Sequence, residues 1–241
     1  MTTASASSSS ARTPTSSTAS PPAGRLVLGR SPATVVAAAA AVLLGVSLFM
    51  TVAVINVPRQ VPDAELLAWW QDAGNRTAGI LSGVFALVVA VTVAVVANHL
   101  QRLRAAGRAP SWLAFTRSMA AAVTALWLVT AAVRGLAGPL VDTRGEPLPG
   151  VEVLRFMTAL NYVLLGQSGM AAFALFVLGA SVVVLRTAVL GRWLAYVGLV
   201  CAAVMLAAVA AQLGAFATPV AILWSLGLAV ALWRAPEPPA G

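Results

Sequence analysis

The sequence predicts an all-α, polytopic membrane bundle of six transmembrane helices with both termini in the cytoplasm. Three observations carry that expectation: an apolar composition, six long apolar segments in series, and the distribution of arginine between the connections. Of the 241 residues, 60% are hydrophobic and 9% charged, with a mean hydropathy of +0.90. Soluble domains carry about 25% charged residues. A chain this apolar has too little polar surface to face water on all sides.

The six segments cover about 33–56, 78–98, 118–137, 161–185, 193–213 and 217–233. Crossing the hydrocarbon core takes about 20 helical residues, and five segments meet that length. Ser31 and Pro32 supply an N-cap and a first helical position for the first segment. Its apolar run is far longer than the 7–15 residues of a cleaved leader, so a retained helix is expected. The sixth segment is the shortest. Thr218 and Pro219 suit its start, which leaves a very tight turn near Gly214.

Residues 1–30 are rich in Ser, Thr, Ala and Pro. Such a stretch buries too little surface to offset its ordering entropy, and a disordered cytoplasmic tail is expected. Residues 31–234 form the transmembrane domain and 235–241 a short cytoplasmic tail. Between the first two spans, Asp63 follows Pro62 and precedes Leu66, Leu67, Trp69 and Trp70. That pattern predicts a short amphipathic helix on the bilayer surface, capped by Asp63. Gly150–Arg186 is too long for one span, so its first turns are expected outside the membrane or lining a vestibule.

Arginine sets the orientation. All fifteen basic residues are Arg. The side that carries the tails and the second and fourth connections holds Arg25, Arg30, Arg102, Arg104, Arg108, Arg117, Arg186, Arg192 and Arg234, besides the remote Arg12. The other side holds Arg59, Arg76, Arg134, Arg144 and Arg155. Positive flanks resist translocation, which places the tail side in the cytoplasm. The net charge of +8 sits at helix ends rather than on one soluble face, so no nucleic-acid partner is expected. The expected partners are the lipid bilayer and a membrane protein or a second copy of the chain.

The sequence carries no catalytic motif: no phosphate loop with a lysine, no paired-histidine motif and no nucleophile elbow. Its single Cys201 and single His99 exclude the usual metal and Cys–His chemistries, and no metal or cofactor is expected. Cys201 reads as a small buried hydrophobe, and His99 as an interfacial side chain beside Arg102 and Arg104. The polar residues inside the spans are then what any activity would use. At 100° per residue, Thr158, Asn161, Ser168 and Ala172 fall on one stripe of the fourth segment, with Gln167 nearly opposite. Asn161, Gln167, Ser168 and Gln212 therefore either line a polar cavity or bond between helices. Arg134 and Arg155, near the outer ends of their spans, either snorkel, meet Asp142, Glu146 or Glu152, or bind an anion or a lipid headgroup. Gly79 and Gly83 make a G-x-x-x-G beside Ser82, a spacing that lets helices approach closely.

The stretch Leu185-Arg-Thr-Ala-Val-Leu-Gly-Arg-Trp-Leu194 and the segment from Pro219 to Trp233 resemble a family of six-helix bacterial integral membrane proteins of unknown function, with Gly191 where that family usually has proline. The resemblance covers about the last third of the chain. It implies a multi-pass protein of the bacterial plasma membrane and no particular activity. The polar inventory favours a membrane scaffold or accessory subunit over a carrier or channel for a small solute, and over an intramembrane enzyme. The orientation has a direct check. With Cys201 replaced by alanine, Ala68→Cys and Gly145→Cys react with an impermeant thiol reagent from outside, and Ala106→Cys does not; the reverse pattern would invert the topology.

Overall fold

A computed structural model describes residues 31–54, 57–58, 60–102, 109–188 and 190–235. The described residues are all-α, with no strand among them. Eight α-helices follow in order: α1 (Pro32–Ala53), α2 (Asp63–Gln71), α3 (Ala73–Arg102), α4 (Pro110–Gly135), α5 (Val151–Tyr162), α6 (Met170–Thr187), α7 (Arg192–Ala210) and α8 (Thr218–Arg234). A π-helical segment, Val163–Gly169, joins α5 to α6 into one continuous helical span, Val151–Thr187. Six helices are long and apolar enough to cross a membrane, the build of a multi-pass membrane protein. The 1–30 and 236–241 tails, with Arg104 and Arg108, lie outside the described residues.

Local chemistry explains the helix ends. Ser31 caps α1 by accepting from the Thr34 amide at 3.3 Å, and Pro32 occupies the first helical position. Asp72 caps α3 by accepting from the Asn75 amide at 2.9 Å. The tight turn after α7 is a single 3₁₀ turn, Gly214–Ala217, that leads straight into α8. At the end of α6, Ala188 takes the left-handed conformation (φ 52°) that glycine usually fills at a helix C-terminus.

Each spanning helix packs against the spans before and after it, and α8 returns to α1, so the order closes on itself. The fourth span is the most enclosed: 67% of its most apolar window is buried, against 28% for the third. Its Phe173 and Phe176 meet Trp224 of α8 edge-on at 6.0 and 5.8 Å. Leu44, Val93, Val123 and Leu194 complete this core, and Cys201 is buried within it. His99, three residues before the end of α3, is buried too.

Polar side chains in the spans are mostly satisfied within their own helix. Thr92, Thr116, Thr130, Thr158, Ser181 and Ser225 each donate to a carbonyl one turn back, at 2.7–2.8 Å. In hydrocarbon an unsatisfied hydroxyl is costly, and back-bonding removes the cost without a partner helix.

Glycines set the closest helix approaches. A Cβ on Gly83 would stand 2.8 Å from the Ala131 carbonyl oxygen and 3.3 Å from the Gly135 nitrogen, so α3 and α4 touch backbone to backbone there. Gly79, one turn earlier, is buried. Backbone atoms cannot yield as a flexible side chain can. Gly83→Leu should therefore lower stability in detergent by about 1–3 kcal/mol or more. Ala203→Leu on the exposed face of α7 should change it by less than about 0.5 kcal/mol. Equal thermal midpoints for the two variants would show that the close approach is dispensable.

Candidate functional site: a polar node at one end of the bundle

The end of the bundle that carries α2 gathers three arginines, each with a different partner set. Arg134, in the last turn of α4, reaches three other helices. Its Nε donates to Asn161 Oδ1 of α5 at 3.0 Å, and its Nη1 donates to the Thr51 carbonyl of α1 and to Ser82 Oγ of α3. Ser82 Oγ donates in turn to the Thr51 carbonyl at 2.9 Å. Thr51 lies in the last turn of α1, where carbonyls have no intrahelical donor and the helix dipole favours a cation. The Gly83 contact brings α3 near enough for Ser82, its neighbour in sequence, to take part.

Arg134 thus meets only neutral oxygens. Among the described residues no carboxylate pairs with it, so the option of meeting Asp142, Glu146 or Glu152 is not the one taken. Those acids are committed elsewhere or exposed. Asp142 pairs with Arg76 at 2.5 Å, Glu146 stands 3.9 Å from Arg144, and Glu152 faces outward. Arg155, which shared the same expected partners, instead holds Asp63 at 2.5 Å.

Arg155 and Arg76 clamp α2 at its two ends. Arg155 Nη2 also donates to the Val61 carbonyl at 3.0 Å, just ahead of the helix. Arg76 is 8% exposed; its Nη1 donates to the Trp70 and Gln71 carbonyls at 2.9 and 2.6 Å, capping the C-terminus of α2. Two corrections follow. Asp63 is the first helical residue of α2, with Pro62 in the cap position, and accepts no capping bond; its Oδ1 meets Arg155 instead. The apolar face of α2 is used inside the chain, with Leu66 and Trp70 buried against Leu154 and Ala137.

The remaining polar candidates do not gather around Asn161. Ser168 is exposed while Thr158 and Ala172 are buried, so the projected stripe breaks. The π segment between them makes wider i→i+5 turns, which advance less than 100° per residue and rotate everything beyond Val163 out of the projected register. Glycine permits that segment: a Cβ on Gly169 would stand 2.5 Å from the Leu164 carbonyl oxygen, and one on Gly214 would overlap the Gly166 carbonyl oxygen. Gln167 is half-buried with its amide nitrogen unpartnered. Gln212 is exposed in the turn after α7 at φ 62°, and contributes only its carbonyl, which accepts from Tyr162 Oη at 2.8 Å.

Sequence reasoning missed the parts played by Thr51 and Arg76. Thr51 acts through its backbone, which no side-chain pattern reports. Arg76 was legible only as a flank charge, although its place five residues after the end of α2 is one from which it can fold back onto that helix.

Beside the node, Val57, Trp70, Val133, Arg134, Met157, Thr158 and Asn161 line a cavity of about 10 Å³, room for one water-sized body. Trp70 is 4% exposed and its indole Nε1–H has no acceptor among the described residues. No cluster of His, Cys, Asp and Glu suited to a metal occurs among the described residues.

The Arg76–Asp142 pair makes the structure acid-sensitive. Hydrogen bonds from Arg76 hold the Asp142 carboxyl below its ordinary range; desolvation opposes them and the guanidinium charge assists. A carboxyl lowered on folding stabilises the fold above its unfolded value of about 3.9, and that contribution is lost as pH falls through the lowered folded value. Asp142→Asn should therefore be less stable than wild type at neutral pH, and the gap should close on acidification from about pH 5 to pH 2. A gap that stays constant with pH would remove the ion pair from the account. Protein-family models, curated proteins and solved structures yield no match to this chain.

Proposed function

We propose that this multi-pass membrane protein is a scaffold or accessory subunit whose polar residues hold its own helices together. The observation that carries the reading is the Arg134 node, which spends a guanidinium, an amide, a hydroxyl and a helix-end carbonyl on one another across α1, α3, α4 and α5. A solute path needs polar groups turned toward a continuous aqueous space. The cavity beside this node has room for about one water molecule. The reading keeps both tails in the cytoplasm of a bacterial cell, on the arginine distribution and the family resemblance.

A surface for a membrane partner is available on α3 and α4. An open groove of about 460 Å³ runs between them, lined by Ala94, Ala97, Ala120, Ala121 and Ala125, with Asn98, Gln101 and Arg117 toward the opposite end from the node. Small side chains let a further helix approach closely.

Stability and flux measured on the same variants test the reading. Asn161→Leu strips the acceptor from a charged donor and should cost about 1.5–3 kcal/mol. Gln167→Leu removes an amide that has found no partner for its nitrogen, and should cost less than about 0.6 kcal/mol or stabilise. Reconstituted vesicles should show no solute flux above that of empty vesicles. Variants that keep wild-type stability but lose a flux present in the wild type would replace the scaffold with a carrier.

A further inference from the structure

The charge of the bundle is one-sided. Every described acid belongs to the α2 end: Asp63, Glu65, Asp72, Asp142, Glu146 and Glu152. The opposite end carries Arg117, Arg186, Arg192 and Arg234, with no described acid to set against them. Toward that end, the open groove of about 460 Å³ between α3 and α4 is lined by Asn98 and Gln101 from one helix and Arg117 from the other. Asn98 and Arg117 are exposed. Among the described residues none of the three side chains makes a hydrogen bond or an ion pair. A guanidinium and two amides therefore line one end of the groove with their donors unspent.

Small residues floor the rest of the groove, Ala94 on α3 with Ala121 and Ala125 on α4. Along α4 it runs from Arg117 to Leu128, about 16 Å of helix. That is the depth of one leaflet, half of a hydrocarbon core of about 30 Å. Toward the α2 end the exposed residues turn bulky, with Leu81, Val84 and Leu87 on α3 and Val129 and Leu136 on α4. A partner helix that crosses the whole bilayer would lose its close approach halfway. A second copy in the same orientation would bring the same arginines and no described acid to this end. We propose that the groove holds one acyl chain of an anionic phospholipid, whose phosphate is bonded by Arg117, Asn98 and Gln101. The planar guanidinium fork suits phosphate oxygens, and each amide adds N–H donors. The third span has apolar surface left to cover, since 28% of its most apolar window is buried, the least of the six. Such a lipid occupies the surface that the scaffold reading offers to a membrane partner, and rests on that choice of surface. The Asn161 and Gln167 variants probe the scaffold itself, so the two can fail separately.

The test uses the full chain, purified in a mild detergent and titrated with phosphatidylglycerol or phosphatidylethanolamine of matched acyl chains. Native mass spectrometry counts the bound lipid. One phosphatidylglycerol should bind about fivefold or more tighter than phosphatidylethanolamine. Arg117→Gln should weaken that first equivalent about tenfold. Ala121→Leu keeps every donor and fills the exposed floor of the groove, and should weaken it as well. Arg192→Gln removes the same charge at the same end of the bundle, outside the groove, and should keep the wild-type affinity. Inorganic phosphate at the lipid's concentration should not compete. Equal affinity for the two lipids, or wild-type affinity in both Arg117→Gln and Ala121→Leu, would overturn the proposal and leave only ordinary boundary lipid. Effective competition by inorganic phosphate would replace the lipid with a free anion. A dimer of the wild type that Ala121→Leu dissociates would give the groove to a second copy instead.

Discussion

One guanidinium organises the α2 end of the bundle. A charge at the edge of hydrocarbon needs hydrogen-bond partners, and Arg134 meets that demand by drawing on oxygens from three other helices. The requirement runs backwards into the packing. For Ser82 to reach the guanidinium, α3 must lie against α4 at backbone contact, which needs glycine at 83 and a small residue at 135. For the Thr51 carbonyl to face it, α1 must end where it does. Arginine suits the position better than a point-charge ammonium, because its planar fork spreads several donors over several directions at once.

The same logic, applied twice more, makes α2 part of the protein rather than an ornament on it. A nine-residue helix is marginal alone. Here each end is taken by an arginine from another element, and the apolar face between is pressed onto Leu154. Trp70 is buried as a consequence of both, and its indole N–H has no acceptor among the described residues.

How much of this was legible in the sequence depends on what kind of signal each feature leaves. Length and hydropathy act over twenty residues at a time, and the six spans, the Ser31 cap and the turn at Gly214 follow from them. The second span extends further than its apolar run at both ends, because Asn75, Arg76 and His99 are polar yet helical. Periodicity failed at Ser168, where the register depends on a π segment that only the fit of Gly166 against Gly214 reveals. Asn161 and Arg134 were recognisable as residues that need partners, but their pairing was not, since 27 positions separate them and nearer acids competed on paper. Thr158 shows the converse: a polar residue on a helix face that bonds only within its own turn.

The closure of α8 onto α1 bears on how the protein is made. During synthesis α1 enters the bilayer long before α8 exists, so the face of α1 that carries Ala38, Val42 and Gly45 waits in lipid, or against the insertion machinery, for its last neighbour. Alanine, valine and glycine tolerate that delay because they lose nothing to acyl chains. The thiol and indole groups that lipid would not satisfy belong to later helices, which meet their neighbours soon after emerging, and the Thr51 hydroxyl of α1 is bonded within its own helix. The order of the chain is thus also a schedule, with the least demanding surface exposed for the longest time.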